Sequence, residues 1–193
     1  MKKLTISDVL KPVAKAFDEL NIPYFIGGSV ASTVYGLART TLDVDLIADL
    51  RSHQVTLLVE KIKHDFYIDA NMILEAINRR SSFNLIHLKT IFKVDVFILK
   101  ERDYDRTAFQ RRRKESLEQK KNAPQYDVAS PEDVIISKLE WYREGGNISE
   151  RQWNDVLGIL KIQKNHLDED YMRNWCVKLG LEQLLKNALR ETE

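Results

Sequence analysis

The sequence predicts an α/β (α+β) chain in two parts, a sheet with flanking helices over residues 1–129 and a helical bundle over residues 130–193. Three observations carry this reading. Short apolar runs bounded by turn residues alternate with amphipathic helical patterns as far as residue 129. Two of those runs, Leu42-Asp43-Val44-Asp45-Leu46-Ile47 and Phe92-Lys93-Val94-Asp95-Val96-Phe97-Ile98, alternate polar and apolar residues as a half-buried strand does. The segment Ser130-Pro131-Glu132-Asp133 then opens a helical pattern, with a capping hydroxyl, proline at the first helical position and acids over the positive dipole end.

Taken in order, Leu10, Val13, Ala14, Phe17 and Leu20 recur at helical spacing behind the start signals Ser7-Asp8, so a helix is expected near Ile6 to Leu20. Asn21-Ile22-Pro23 turns the chain into Tyr24-Phe25-Ile26, a buried strand that ends at Gly27-Gly28. A short helix follows from Ser29, as its cap, to Tyr35, with Gly36 as its stop. After the strand at 42–47, helices are expected over Val55–Ile62 and Asn71–Asn78, strands over Ser82–His87 and Phe92–Leu99, and a short strand at Tyr126-Asp127-Val128-Ala129. The charge-rich stretch between Leu99 and Tyr126 marks the junction. Beyond it, helices are expected over Pro131–Glu144, Glu150–Ile162, Asp168–Leu179 and Leu181–Leu189.

The composition excludes several function classes. Hydrophobic residues at 44% and charged residues at 31%, with only 7 Gly and 4 Pro, describe a folded globular chain with little room for disordered linker. A single cysteine, Cys176, cannot form an internal disulfide, and no Cys and His cluster has structural zinc spacing, which fits a reducing cytoplasmic compartment. No apolar run is long enough for a membrane span. Lysine and arginine number 30 against 29 acids, so any attraction for nucleic acid must come from local patches. Gln110-Arg111-Arg112-Arg113-Lys114, with Lys120-Lys121, is one such patch; it either contacts RNA phosphates or forms a solvated charged face beside Glu115 and Glu118.

The chemistry concentrates on the carboxylates. On a strand, residues i and i+2 share a face, so Asp43 and Asp45 present two carboxylates side by side. Like charges that close raise each other's pKa, and a bound cation is the readiest way to keep both ionised. Magnesium suits the role, because it takes oxygen ligands and is commonly held by one or two carboxylates plus substrate phosphate oxygens. Asp95 occupies the same setting on a later strand, on the face opposite Phe92, Val94, Val96 and Ile98. Three converging acids can hold two metal ions for phosphoryl transfer. The Gly27-Gly28-Ser29 step from strand to helix adds exposed amides and a hydroxyl, an anion site suited to β and γ phosphates.

Gly27-Gly28-Ser29, a short helix, Arg39-Thr40-Thr41, Asp43-Val44-Asp45 and Val94-Asp95-Val96, in that order, resemble the DNA polymerase beta-like nucleotidyltransferase superfamily. More narrowly, Gly27-Gly28-Ser29-Val30-Ala31, Tyr35-Gly36, Arg39-Thr40-Thr41, Asp43-Val44-Asp45-Leu46, Ser130-Pro131-Glu132-Asp133, Lys138-Leu139 and Glu150-Arg151-Gln152-Trp153-Asn154-Asp155-Val156 look like the small prokaryotic nucleotidyltransferases that include abortive-infection type toxins. The resemblance implies a nucleotidyltransferase-fold mixed sheet and magnesium-dependent transfer of a nucleoside monophosphate from a nucleoside triphosphate such as ATP. It implies Asp43 and Asp45 as metal ligands, Asp95 as third ligand or activator of the acceptor, and Gly28 and Ser29, with the adjoining Gly27, as phosphate contacts. It also points to Lys138 and Asp155. Lys138 lies within the apolar stripe Val134, Ile135, Leu139 and Tyr142, so it either meets the triphosphate or pairs with Asp155. Arg39 either contacts phosphate or braces the carboxylates, and Tyr35 and Trp141 either border a base pocket or belong to the core. The alternative function is a non-catalytic member of the fold, an antitoxin-like partner or regulator that binds nucleotide or protein. The acceptor and the oligomeric state are not encoded in any motif.

Overall fold

The computed structural model describes residues 5–38, 41, 43–118, 120 and 122–193. Helix α1 (Ile6–Glu19) starts one residue before the predicted signals: Thr5 is its cap, accepting from the Asp8 amide at 3.2 Å while the Asp8 carboxylate accepts from the Thr5 amide at 2.9 Å. It buries Val9, Leu10, Val13, Ala14 and Phe17. Strand β1 (Tyr24–Ile26) is buried throughout and leads into α2 (Gly28–Tyr35).

Strand β2 (Asp43–Ala48) is followed by a 3-10 turn at Ser52–Gln54, α3 (Val55–Ile62), the two-residue strand β3 (Phe66–Tyr67), α4 (Ala70–Arg79), β4 (Ser82–His87) and β5 (Lys93–Ile98). The Asp69 side chain caps α4 by accepting from the Met72 amide at 2.8 Å, and Arg80 in the left-handed region ends it. Next come α5 (Asp103–Gln110), β6 (Arg113–Ser116) and β7 (Gln125–Val128), then α6 (Pro131–Glu144), α7 (Glu150–Gln163), α8 (Glu169–Leu179) and α9 (Glu182–Thr192). Ser130, Ser149 and Asp168 cap α6, α7 and α8 through their side chains.

All seven strands join one mixed sheet in the order β3-β4-β5-β2-β1-β7-β6. Parallel pairing of β2 with β5 sets Asp43 opposite Lys93, Asp45 opposite Asp95 and Ile47 opposite Phe97. The alternate residues Val44, Leu46, Ala48, Val94, Val96 and Ile98 point to the other face and are buried there. The alternation seen in the sequence therefore separates a core face from a face carrying the acids. On that second face α2 packs on β2, and α6 and α7 pack on α2. Helix α7 is tied to α2 near both ends, since Arg151 donates to Ser29 Oγ at 3.2 Å and Gln163 donates to the Tyr35 carbonyl at 2.9 Å.

The charge-rich junction holds more structure than its composition suggests. Strand β6 has no apolar residue and sits at the sheet edge, where charged side chains are the usual protection against further pairing. The arginine run turns inward. Arg111 lies 3.4 Å from Glu132 and 3.6 Å from Asp133, and its guanidinium stacks on the Tyr171 ring at 3.8 Å. Arg113 also reaches Glu132, at 3.5 Å, while Arg112 and Lys114 approach Asp127. Glu132 and Asp133 are 1% and 3% exposed, so these arginines neutralise buried acids at the start of α6 and are not a simple solvated face. Lys121 lies outside the described residues. Cys176 is buried and its thiol is pushed up to about 12 by burial, a packed and unreactive side chain. No helix among the described residues is long and apolar enough to cross a membrane.

Removing Arg111 takes a cation from both Glu132 and Asp133, leaving Arg113 on Glu132 and the Ser130 and Tyr171 hydroxyls on Asp133. Arg111→Ala is expected to lower stability by about 3 kcal/mol in urea unfolding. A change within about 0.5 kcal/mol, the range for surface substitutions, would return Arg111 to the solvated face.

Candidate active site

The site forms where β1 hands over to α2. The Gly27 amide donates to the Asp45 carbonyl at 2.9 Å, which locks the turn to β2. Gly28 has φ of 54°, and a Cβ on it would overlap the Asp45 carboxylate oxygen Oδ2. A Cβ on Gly27 would lie 2.8 Å from Ile47 Cδ1. Gly28 is therefore required, by its positive φ and by the close approach of an acid, whereas a side chain on Gly27 would displace only the flexible end of Ile47. The cap lies two residues before the expected one: α2 starts at Gly28 with Gly27 as its cap residue, no side chain caps it, and Ser29 is its second residue. The Ser29 amide is instead directed at the Asp45 carboxylate.

Asp45 is central to the electrostatics. Burial pushes its carboxyl above the usual range, the neighbouring Asp43 and Asp95 charges push it further, and Lys138 with the Ser29 amide opposes them. Asp43 Oδ1 accepts from the Thr41 hydroxyl at 2.6 Å. Both oxygens of Asp95 are engaged, one by Lys93 at 2.8 Å and the other by the Asn84 amide at 3.1 Å. Among the described residues no three Asp, Glu, His or Cys side chains converge closely enough to hold a metal ion by themselves. The donor set fits a divalent cation held in part by its ligand: two carboxylates one residue apart, one of them raised by desolvation and then by like charge, beside a turn built for an anion.

Lys138 and Asp155 meet as an ion pair at 2.8 Å, with side chains only 4% and 9% exposed, and Gln152 Oε1 accepts from Lys138 at 2.9 Å. The pair is structural in its contacts, yet Lys138 also lines the cavity that opens from Gly27, Gly28, Ser29 and Asp45. This cavity has a volume of about 330 Å³. Its wall continues along the acidic face of the sheet, from Asp45 to Ile47 and across to Phe97, and is closed by Tyr104 and Ala108 of α5 and Ser137 and Trp141 of α6. Trp141, 56% exposed, meets the Phe97 ring edge-on at 6.3 Å. Tyr35 is buried, its hydroxyl directed at Glu115, and it does not line the cavity. Arg39 lies outside the described residues, as do Thr40 and Leu42.

Thr41, Lys93, Asn84 and Arg151 reach the site without having been singled out as candidates. Lys93 was the most accessible to sequence reasoning, since it stands two residues before Asp95 on the same strand face. Asn84 comes from a neighbouring strand and depends on the β4 to β5 register, which no local pattern reveals.

The architecture is shared with solved structures at low sequence identity. The antibiotic-resistance factor ANT(2'')-Ia aligns with a TM-score of 0.52 and 12% identity, over 93% of this chain and 96% of that one. An antigenic nucleotidyltransferase-like protein from Paracoccidioides brasiliensis aligns with a TM-score of 0.55 and 19% identity, over 97% and 94%. No protein-family model and no curated protein matches the sequence. The chain has the nucleotidyltransferase fold, a mixed α/β sheet carrying its acids beside a glycine turn.

Two outcomes follow from the Asp45 environment. With its folded pKa raised, ionised Asp45 opposes folding, so its contribution favours the fold at low pH and is lost as pH rises through the raised value. Asp45→Asn, which removes the charge, is expected to raise the melting temperature of the metal-free protein at neutral pH, by about 2–4 °C for each kcal/mol relieved. An unchanged or lower melting temperature would contradict the account of Asp45. Gly28→Ala must shift either the turn or Asp45 and is expected to cost about 1–3 kcal/mol in urea unfolding; a neutral effect would show that the close approach is not required.

Proposed function

We propose that the chain is a magnesium-dependent nucleotidyltransferase of the DNA polymerase beta-like type, moving a nucleoside monophosphate from a nucleoside triphosphate to an acceptor hydroxyl. The observation that carries this reading is the placement of Asp43 and Asp45 on β2, with Asp95 opposite on β5, directly against the Gly27 to Ser29 turn. Residues 1–129 would supply this machinery, and residues 130–193 a helical unit that walls the cavity through Lys138, Trp141 and Gln152.

Asp43 and Asp45 are the proposed metal ligands, with the remaining positions left to phosphate oxygens and water. Bound there, magnesium would offset the charge between the acids and stabilise negative charge developing on the phosphates. The amides at the start of α2 and the Ser29 hydroxyl would hold the β and γ phosphates. Lys138, fixed by Asp155 and Gln152, would present a buried positive charge beside Asp45 and the α phosphate. Asp95 would accept the proton of the acceptor hydroxyl, with Lys93 and Asn84 fixing its orientation. The acceptor oxygen forms its bond to the α phosphorus as the bond to the bridging oxygen breaks, and pyrophosphate leaves. The apolar slot formed by Ile47, Phe97 and Trp141 suits a nucleobase or an apolar part of the acceptor. Arg111, Arg112 and Arg113 have internal acidic partners, which weakens the case for RNA as the acceptor through that run.

One observation favours a second reading. Asp95 is engaged through both oxygens and, among the described residues, no three acids converge closely enough to hold a metal ion, as would suit a member of the fold that binds nucleotide without transferring it. Incubation with magnesium, α-labelled nucleoside triphosphates and a pool of RNA, protein and small-molecule acceptors separates the two. Transfer in the wild type, lost in Asp43→Ala and reduced about 10²–10⁴-fold in Asp95→Asn, supports catalysis. Magnesium-dependent nucleotide binding with no labelled product supports the binding reading. The toxin role rests on motif resemblance and is tested by growth after induction: slower growth with the wild type than with Asp43→Ala supports it, and equal growth removes it.

A further inference from the structure

Arg151 stands in the first turn of α7 and donates from Nη2 to Ser29 Oγ at 3.2 Å, bridging the phosphate turn to a helix 122 residues later in the chain. Among the described residues no carboxylate lies within ion-pair distance of it, whereas all the other described arginines except Arg190 have one. Its position is electrostatically unfavourable. A cation in the first turn of α7 opposes that helix's dipole, and the start of α2, at which it points, is also a positive end. Two other cations of the site are matched by carboxylates, Lys138 by Asp155 and Lys93 by Asp95. Arg151 is exposed and solvated, so it needs no protein anion to fold, but an anion seated at the start of α2 would meet its guanidinium, whose planar fork suits phosphate oxygens.

We infer that Arg151 is a polyphosphate contact, gripping the β and γ phosphates of the nucleoside triphosphate together with Ser29. This deepens the proposed function and rests on the same nucleotide site. It also gives α7 a part in the reaction: Gln152, the next residue, faces the cavity and holds Lys138, so one helical turn serves two ends of the triphosphate. Discrimination between triphosphate and monophosphate then comes from α7 as well as from the turn.

Calorimetry with magnesium and either α,β-methylene ATP or AMP tests the assignment on wild type, Arg151→Ala and Arg151→Lys, with melting curves confirming that each is folded. Arg151→Ala is expected to weaken the triphosphate analogue about 10–100-fold and AMP less than about twofold, with Arg151→Lys in between. Equal losses for the two ligands would make Arg151 a brace for α2, and no loss for the triphosphate analogue would remove it from the site; either result overturns the inference. In both of those cases wild-type binding of the triphosphate analogue leaves the nucleotide reading standing. A wild type that binds neither ligand defeats the nucleotide reading and the inference together.

Discussion

The structure of the site depends on one close approach, that of Asp45 to the backbone of Gly28. The carboxylate lies where a side chain on residue 28 would be, receives the Ser29 amide, and is half-buried beside the charges of Asp43 and Asp95. That proximity fixes the start of α2 over β2, and α2 in turn seats α6 and α7. An unfavourable concentration of negative charge is thus built into the junction on which the helices rest. Local destabilisation of this kind is tolerated where the surrounding packing over-determines it, and it is a characteristic of sites that bind cations or react.

The remaining charges are arranged to limit that cost. Lys138 approaches Asp45 from α6 but is itself neutralised by Asp155, and Lys93 is matched by Asp95 across two residues of one strand. A second buried set, with Glu132 and Asp133 held by Arg111, Arg113, Ser130 and Tyr171, fixes the start of α6. The two sets share a helix, since Asp133 and Lys138 both lie on α6 and both line the cavity. The arginine run near residue 112 therefore serves to orient the wall of the site, at a distance from the carboxylates themselves.

Much of this was legible in the sequence, for identifiable reasons. The bounds of β1, α3, β4 and α6 agree with the pattern, because turn residues or a capping signal frame each of them. Alternation along β2 and β5 also gave the correct face to Asp43, Asp45 and Asp95. Helix α5 was missed because it buries only Tyr104, Ala108 and Phe109 amid charged residues, and β6 because an edge strand without apolar residues has no period to read. Ser29 resembles a cap, but Gly28 in the left-handed region opens the helix and moves the cap back two residues, to Gly27. The arginine run looked exposed because its partners, Glu132 and Asp133, lie about twenty residues away and only the tertiary fold brings them together.

The central claim is that Asp43 and Asp45 hold a divalent cation shared with a triphosphate seated on the α2 turn. Anomalous diffraction from crystals grown with manganese and α,β-methylene ATP tests it most directly. The account predicts a manganese peak about 2.1 Å from oxygens of both Asp43 and Asp45 and of the phosphates, with the β and γ phosphates against Ser29. Triphosphate density bound away from the Gly27 to Ser29 turn, or a metal that ignores both aspartates, would contradict it.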